Sequence, residues 1–192
     1  FWRPCPPSPT VESVRPALVA LLLCLSSCDC GGPPAFAPST FDPGDEAWLL
    51  TGDATLRPEV NATGGNPGAH ICGTDQVGGN IWYFVAPQKF LGDVSPVYGK
   101  RLTFDLRQST IFNQIRGRDV VLNGGGLSIV YNMRSPPGLD WTPYSVFLDV
   151  NGGWTRDEVG FPASTEDELK TVLRNLNALR IRGEYVDGSD SA

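Results

Sequence analysis

The sequence predicts an all-β protein, an antiparallel β-sandwich with one short helix near its C-terminal end. Three observations point there. The 192 residues include 22 glycines and 17 prolines, a density of turn formers that suits many short strands and disfavours a helical bundle. Apolar residues recur with a strand's period of two in several segments, most strictly in Arg101–Arg107. One segment alone carries a helix's period, and no strand–helix unit repeats, which argues against a parallel α/β sheet. With 41% hydrophobic residues the chain can build the core of one domain.

Ala47–Thr51 is a short apolar stretch carrying Trp48, bounded by Gly44 and Gly52. Residues 61–80 read as a loop, studded with Asn61, Gly64, Gly65, Asn66, Pro67 and Gly68. Ile81–Ala86 is a continuous apolar and aromatic run stopped by Pro87, the pattern of a buried strand. In Arg101–Arg107, Leu102, Phe104 and Leu106 share one face while Arg101, Thr103, Asp105 and Arg107 share the other, so one face is solvated. Asp119–Leu122 and Leu127–Tyr131 flank Asn123-Gly124-Gly125-Gly126, a turn rich in residues that tolerate positive φ. Tyr144–Leu148 alternates again, and Trp154 follows a Gly152-Gly153 turn.

The helix starts at Thr165. Thr165-Glu166-Asp167-Glu168 fits a capping box, and Leu169, Val172, Leu173 and Leu176 follow on one helical face. Three acids in the first turn and Arg174 toward the end suit the helix dipole. After Asn177 the period returns to two. Leu179, Ile181 and Tyr185 alternate with Arg180, Arg182 and Glu184, so a strand follows.

The N-terminal residues have a different character. Residues 1–10 have no period. Arg15 then precedes the apolar run Ala17–Leu25, and Ser26, Ser27 and Cys28 follow, the layout of a secretory signal. The run falls short of the roughly 20 apolar residues that a membrane-spanning helix needs. Leu25-Ser26-Ser27-Cys28 resembles a bacterial lipobox, which makes Cys28 the candidate for lipidation; ordinary secretion and a misread N-terminus stay open. The expected division is an upstream extension at 1–13, a signal peptide at 14–27, a flexible linker at 28–40, a folded domain at 41–187 and a tail at 188–192. Processing at Cys28 leaves Cys30 and Cys72. The simplest reading is a linker Cys30 and a buried free Cys72; the alternative is a disulfide between them.

Composition narrows the functional classes. A net charge of −6 argues against nucleic acid as partner, because phosphate binding needs a basic surface. One histidine, His70, leaves little room for a His-based triad or a His-rich metal site. Five cysteines are too few for a disulfide framework at this length.

Several segments, in order, carry a family resemblance. They are Ile81-Trp82-Tyr83-Phe84-Val85-Ala86-Pro87, Lys89-Phe90-Leu91-Gly92, Tyr98-Gly99 and Leu102-Thr103-Phe104-Asp105-Leu106. Asp119–Leu122, Leu148, Trp154, Leu173, Asn175-Leu176 and Leu179–Tyr185 continue the series. Together, over Phe41 to Asp187, they resemble the laminin IV type A (laminin B) domain. The resemblance implies a jelly-roll β-sandwich of the galactose-binding-like kind, extracellular and not catalytic. With a lipobox and without EGF-like cysteines, the chain is similar to bacterial stand-alone versions. One departure is expected to matter: the family's closing strand, with an aspartate-asparagine pair and aliphatics, has no counterpart in Gly188–Ala192.

Candidate chemistry is sparse. Asp42, Asp45 and Glu46 cluster where the domain opens and are the candidate ligands of a structural calcium, against the alternative of a solvated acidic turn. Trp141 and Tyr144, in a proline-flanked stretch, are the candidates for stacking on a ligand such as a sugar ring, whereas Trp48, Trp82 and Trp154 are read as core. Asp157 and Glu158 are sequence neighbours that a strand would point to opposite faces, so they make no glycosidase pair. His70 reads as a plain loop residue, and Asn61-Ala62-Thr63 as a glycosylation acceptor for a eukaryotic secretory pathway. The expected protein is a secreted or cell-surface binding or structural module, with a glycan or an extracellular protein as partner. A membrane enters only through a lipid on Cys28.

Overall fold

The strands differ most from expectation between β1 (Leu49–Thr51) and β4 (Tyr83–Val85). The computed structural model describes residues 38–75, 81–186 and 192. Where a glycine-rich loop was expected, β2 (Glu59–Gly65) and β3 (Gly68–Cys72) form a hairpin around Asn66-Pro67, with Val60 opposite Ile71. Neither face of β2 is deeply buried, so no apolar alternation marks it, and only the turn chemistry betrays it.

The other strands follow the sequence pattern closely. They are β5 (Arg101–Leu106), β6 (Val120–Gly124), β7 (Leu127–Tyr131), β8 (Thr142–Phe147), β9 (Thr155–Arg156) and, after helix α1 (Glu166–Arg174), β10 (Leu176–Arg182). All pairings between these strands are antiparallel. Among the described residues there is one six-stranded sheet in the order β1-β4-β10-β6-β7-β9, and two two-stranded sheets, β2–β3 and β5–β8. The all-β expectation with one short helix therefore holds.

Of the described strands the last in sequence, β10, lies inside the large sheet between β4 and β6. Register explains which residues face inward. Ile181 lies opposite both Phe84 and Val120, and Leu179 lies opposite Leu122. Residues directly opposite share a face, so these five form one apolar surface, and all are buried. Fully burying one such side chain stabilises by about 1.5–3 kcal/mol. Trp48, Trp82 and Trp154 are buried as expected.

Local signals act as anticipated at two sites. Gly125 and Gly126 take φ of +58° and +78°, making the two-residue turn between β6 and β7. At α1 the Thr165 hydroxyl accepts from the Glu168 N–H, and the Glu168 carboxylate accepts from the Thr165 N–H at 2.8 Å. The helix is shorter than its apolar period suggested: Leu176 already belongs to β10, because Gly92 and Leu176 exchange backbone hydrogen bonds there. Cys72 is disulfide-bonded, which corrects the expectation of a free thiol; the other four cysteines lie outside the described residues. No helix among the described residues is long and apolar enough to cross a membrane.

Candidate binding cleft

Between the apolar face of the large sheet and the β5–β8 pair lies a cleft of about 1510 Å³. Its floor includes Phe84, Leu122, Leu179 and Ile181, and its wall includes Leu102 and Phe104 of β5. The strict alternation of β5 is what aims those two side chains inward. Both remain only half-buried, because the space in front of them is open.

At one end of the cleft three side chains from distant parts of the chain converge. Trp141 presents its ring beside His70, edge to face, with centroids 5.3 Å apart. The Arg107 guanidinium sits 4.9 Å from the Trp141 ring centroid, within cation–π range. The indole N–H donates to the Gly64 carbonyl at 2.8 Å, which fixes the ring against the β2–β3 turn. His70 is 7% exposed, and its Nδ1 has no hydrogen-bond partner. Burial, then the nearby Arg107 charge, lowers its pKa, so it is neutral at physiological pH. All three line the cleft. The end of the cleft therefore offers an indole ring and a guanidinium donor, with the buried His70 imidazole packed against the indole.

Tyr144 lines the same cleft. Its ring stacks on Phe104 at 5.4 Å and its hydroxyl donates to the Ser135 carbonyl at 3.1 Å. Burial, then the Asp119 charge, pushes its pKa up to about 12. The structure thus brings Trp141 and Tyr144 to one cleft but gives each ring an internal neighbour. His70 and Arg107 were not singled out for this cleft from sequence. The available signal was the placement of Arg107 at the end of an alternating strand.

The acidic cluster does not assemble as a cation site. Among the described residues no three His, Cys, Asp or Glu side chains are placed to hold a metal ion. Asp45 pairs with Arg57 at 2.9 Å and accepts from the Ala47 N–H. Glu46 turns to Lys89 and to the N–H groups of Thr40 and Phe41. Internal donors thus engage the Asp45 and Glu46 carboxylates, the two acids that would have to turn toward a calcium ion beside Asp42. Burial would raise the Glu46 pKa, but Lys89 and those N–H groups outweigh it and hold it at about 2. A folded-state pKa below the unfolded value contributes stability above the ordinary carboxylate range, lost as pH falls toward 2. Glu46→Gln is therefore expected to lose about 2 kcal/mol at neutral pH and to flatten acid unfolding below pH ~4.5. Urea titrations at several pH values read this; an unchanged acid limb would refute it. Cys28, the lipidation candidate, lies outside the described residues.

These features define a β-sandwich module with an apolar cleft between its sheets. The family model of Laminin B (Domain IV) matches residues 83–192, more than half of the chain, and the chain belongs to that family. It is 38% identical to human laminin subunit gamma-2 over 116 residues, which is 55% of this chain and 9% of that protein. It is 26% identical to the basement membrane proteoglycan of Caenorhabditis elegans over 145 residues, 74% of this chain and 4% of that one. The chain thus matches less than a tenth of the length of either relative. The L4b domain of human laminin alpha-2 shares the fold, with a TM-score of 0.51 at 18% identity, covering 58% of this chain and 65% of that one.

Proposed function

We propose that this chain is a non-catalytic, extracellular laminin-B-type module that binds an extracellular protein partner at the cell surface through the cleft beside β5. The observation that supports this most is the end of that cleft. There the Trp141 ring and the Arg107 guanidinium meet an apolar lining, and His70 packs against the ring. Such a site, apolar with a few convergent polar groups, is the common form of a binding pocket. Surface attachment through a lipid on Cys28, after a signal peptide at 14–27 and before a linker at 28–40, completes the reading. Mass spectrometry of the mature protein tests that part: an intact peptide spanning residues 20–40 would overturn it.

A second reading, carbohydrate binding, is favoured specifically by the Trp141 ring at the cleft end. A glycan array run beside a sensor coated with basement-membrane matrix separates the two. Retention on the matrix, weakened at least about tenfold by Trp141→Ala and without glycan hits, supports the protein partner. Specific glycan hits lost in Trp141→Ala support the sugar. Binding to neither surface would overturn both.

A further inference from the structure

We propose that two copies of this chain associate through the outer edge of β5, antiparallel and centred on Thr103. Among the described residues β5 pairs with β8 alone, so its other edge carries a row of backbone N–H and C=O groups outside any ladder. An open edge beside an apolar inner face is a template for a further strand.

Charge selects both the occupant and the register. Added strands must keep Leu102 and Phe104 on the inner face, because a one-residue slip would turn them to solvent. That leaves self-pairings centred on Leu102, Thr103 or Phe104. Centring on Phe104 sets Arg101 against Arg107 of the second copy, twice. Centring on Leu102 sets Arg101 against Thr103 and makes no charge pair. Centring on Thr103 sets Arg101 against Asp105 twice, with Leu102 against Phe104 twice on the inner face. Arg101 and Thr103 are exposed, and Asp105 has no ion-pair partner among the described residues. Arg101 commits one N–H to Ser145 and rests over the Phe147 ring, leaving further donors on its guanidinium. The pairing is twofold and uses the same edge on both partners, so at this edge it closes at two copies.

Sedimentation analysis of the chain across the micromolar range reads the association. Arg101→Asp places Asp against Asp, and Asp105→Arg places Arg against Arg, each twice. Either variant alone is expected to weaken self-association by roughly a hundredfold. Mixed in equal amounts, the two variants restore both opposite-charge pairs and are expected to form a heterodimer. Hydrogen exchange of the unaltered chain gives a readout free of substitutions: β5 amides gain protection as concentration rises. A chain that stays monomeric, variants that dimerise like the parent, a mixture that stays monomeric, or concentration-independent β5 exchange would each overturn the proposal.

Discussion

Gly183→Ala is expected to destabilise the protein by about 3 kcal/mol and lower its Tm by about 6–12 °C. A Cβ at this position would lie 1.9 Å from Cζ3 and 2.1 Å from Cη2 of Trp82, far inside van der Waals contact. The indole has nowhere to go. It is 0% exposed, and a Cβ on Gly73 would also meet the ring, at 2.6 Å. Phe84 packs edge-on against it at 5.1 Å. The Gly183 N–H also donates to the Trp82 carbonyl at 3.0 Å, so backbone retreat would break the junction of β4 with β10. Gly138→Ala is the control, since its Cβ would meet nothing closer than 3.6 Å, and it is expected to stay within ~0.5 kcal/mol. In the double variant Gly183→Ala with Trp82→Leu, the smaller side chain relieves the clash. The two losses should then fall short of additive. Equal melting of Gly183→Ala and the parent would sink the argument.

Such a contact is invisible to a pattern of apolar residues, and the same limit runs through the fold. Segments with a clear local signal were legible: β5 and β8 through alternation, β6 and β7 through the glycine turn between them, and α1 through its capping box and three buried positions. The β2–β3 hairpin was not, because it pairs outside the large sheet, the side chains of β2 largely face solvent, and the buried residues of β3 are His70 and Cys72, which no apolar pattern marks. The acidic cluster shows a related limit. Proximity in sequence suggested converging ligands, but Arg57 and Lys89, each remote in sequence, draw Asp45 and Glu46 to separate partners. In the cleft, Trp141 and Tyr144 stood out as aromatic residues in a loop-to-strand stretch. The approach of His70 and Arg107 to Trp141 depends on how β3 and β5 are brought together, which no local signal encodes. Alternation also hid the character of β10, whose Arg182 sits where a solvated residue was expected and is instead fully buried.

That burial makes Arg182→Met the second large effect, with an expected loss of about 3 kcal/mol at neutral pH. The Arg182 guanidinium donates to the Gly117 carbonyl at 2.7 Å and lies 3.9 Å from an Asp119 oxygen. It also stacks over the Tyr185 ring at 5.1 Å. Asp119 is 3% exposed, and its other oxygen accepts from the Met133 N–H at 2.7 Å. Removing the cation leaves a buried carboxylate with too little compensation. Its pKa already lies above the ordinary value, because burial outweighs the Met133 N–H and Arg182. A carboxyl with a raised folded-state pKa binds more protons folded than unfolded, so stability rises as pH falls through that window. Without Arg182 the window widens upward. The deficit of Arg182→Met should therefore be largest near neutrality and shrink as Asp119 takes up its proton below. Replacing both groups, Arg182→Met with Asp119→Leu, should recover most of the loss and remove its pH dependence, because an apolar pair carries no desolvation cost. Chemical denaturation of the parent, the single variant and the double variant at three pH values reads all of this. A deficit that is constant with pH would mean that the lost Gly117 contact and packing, and not the stranded Asp119 charge, carry the effect.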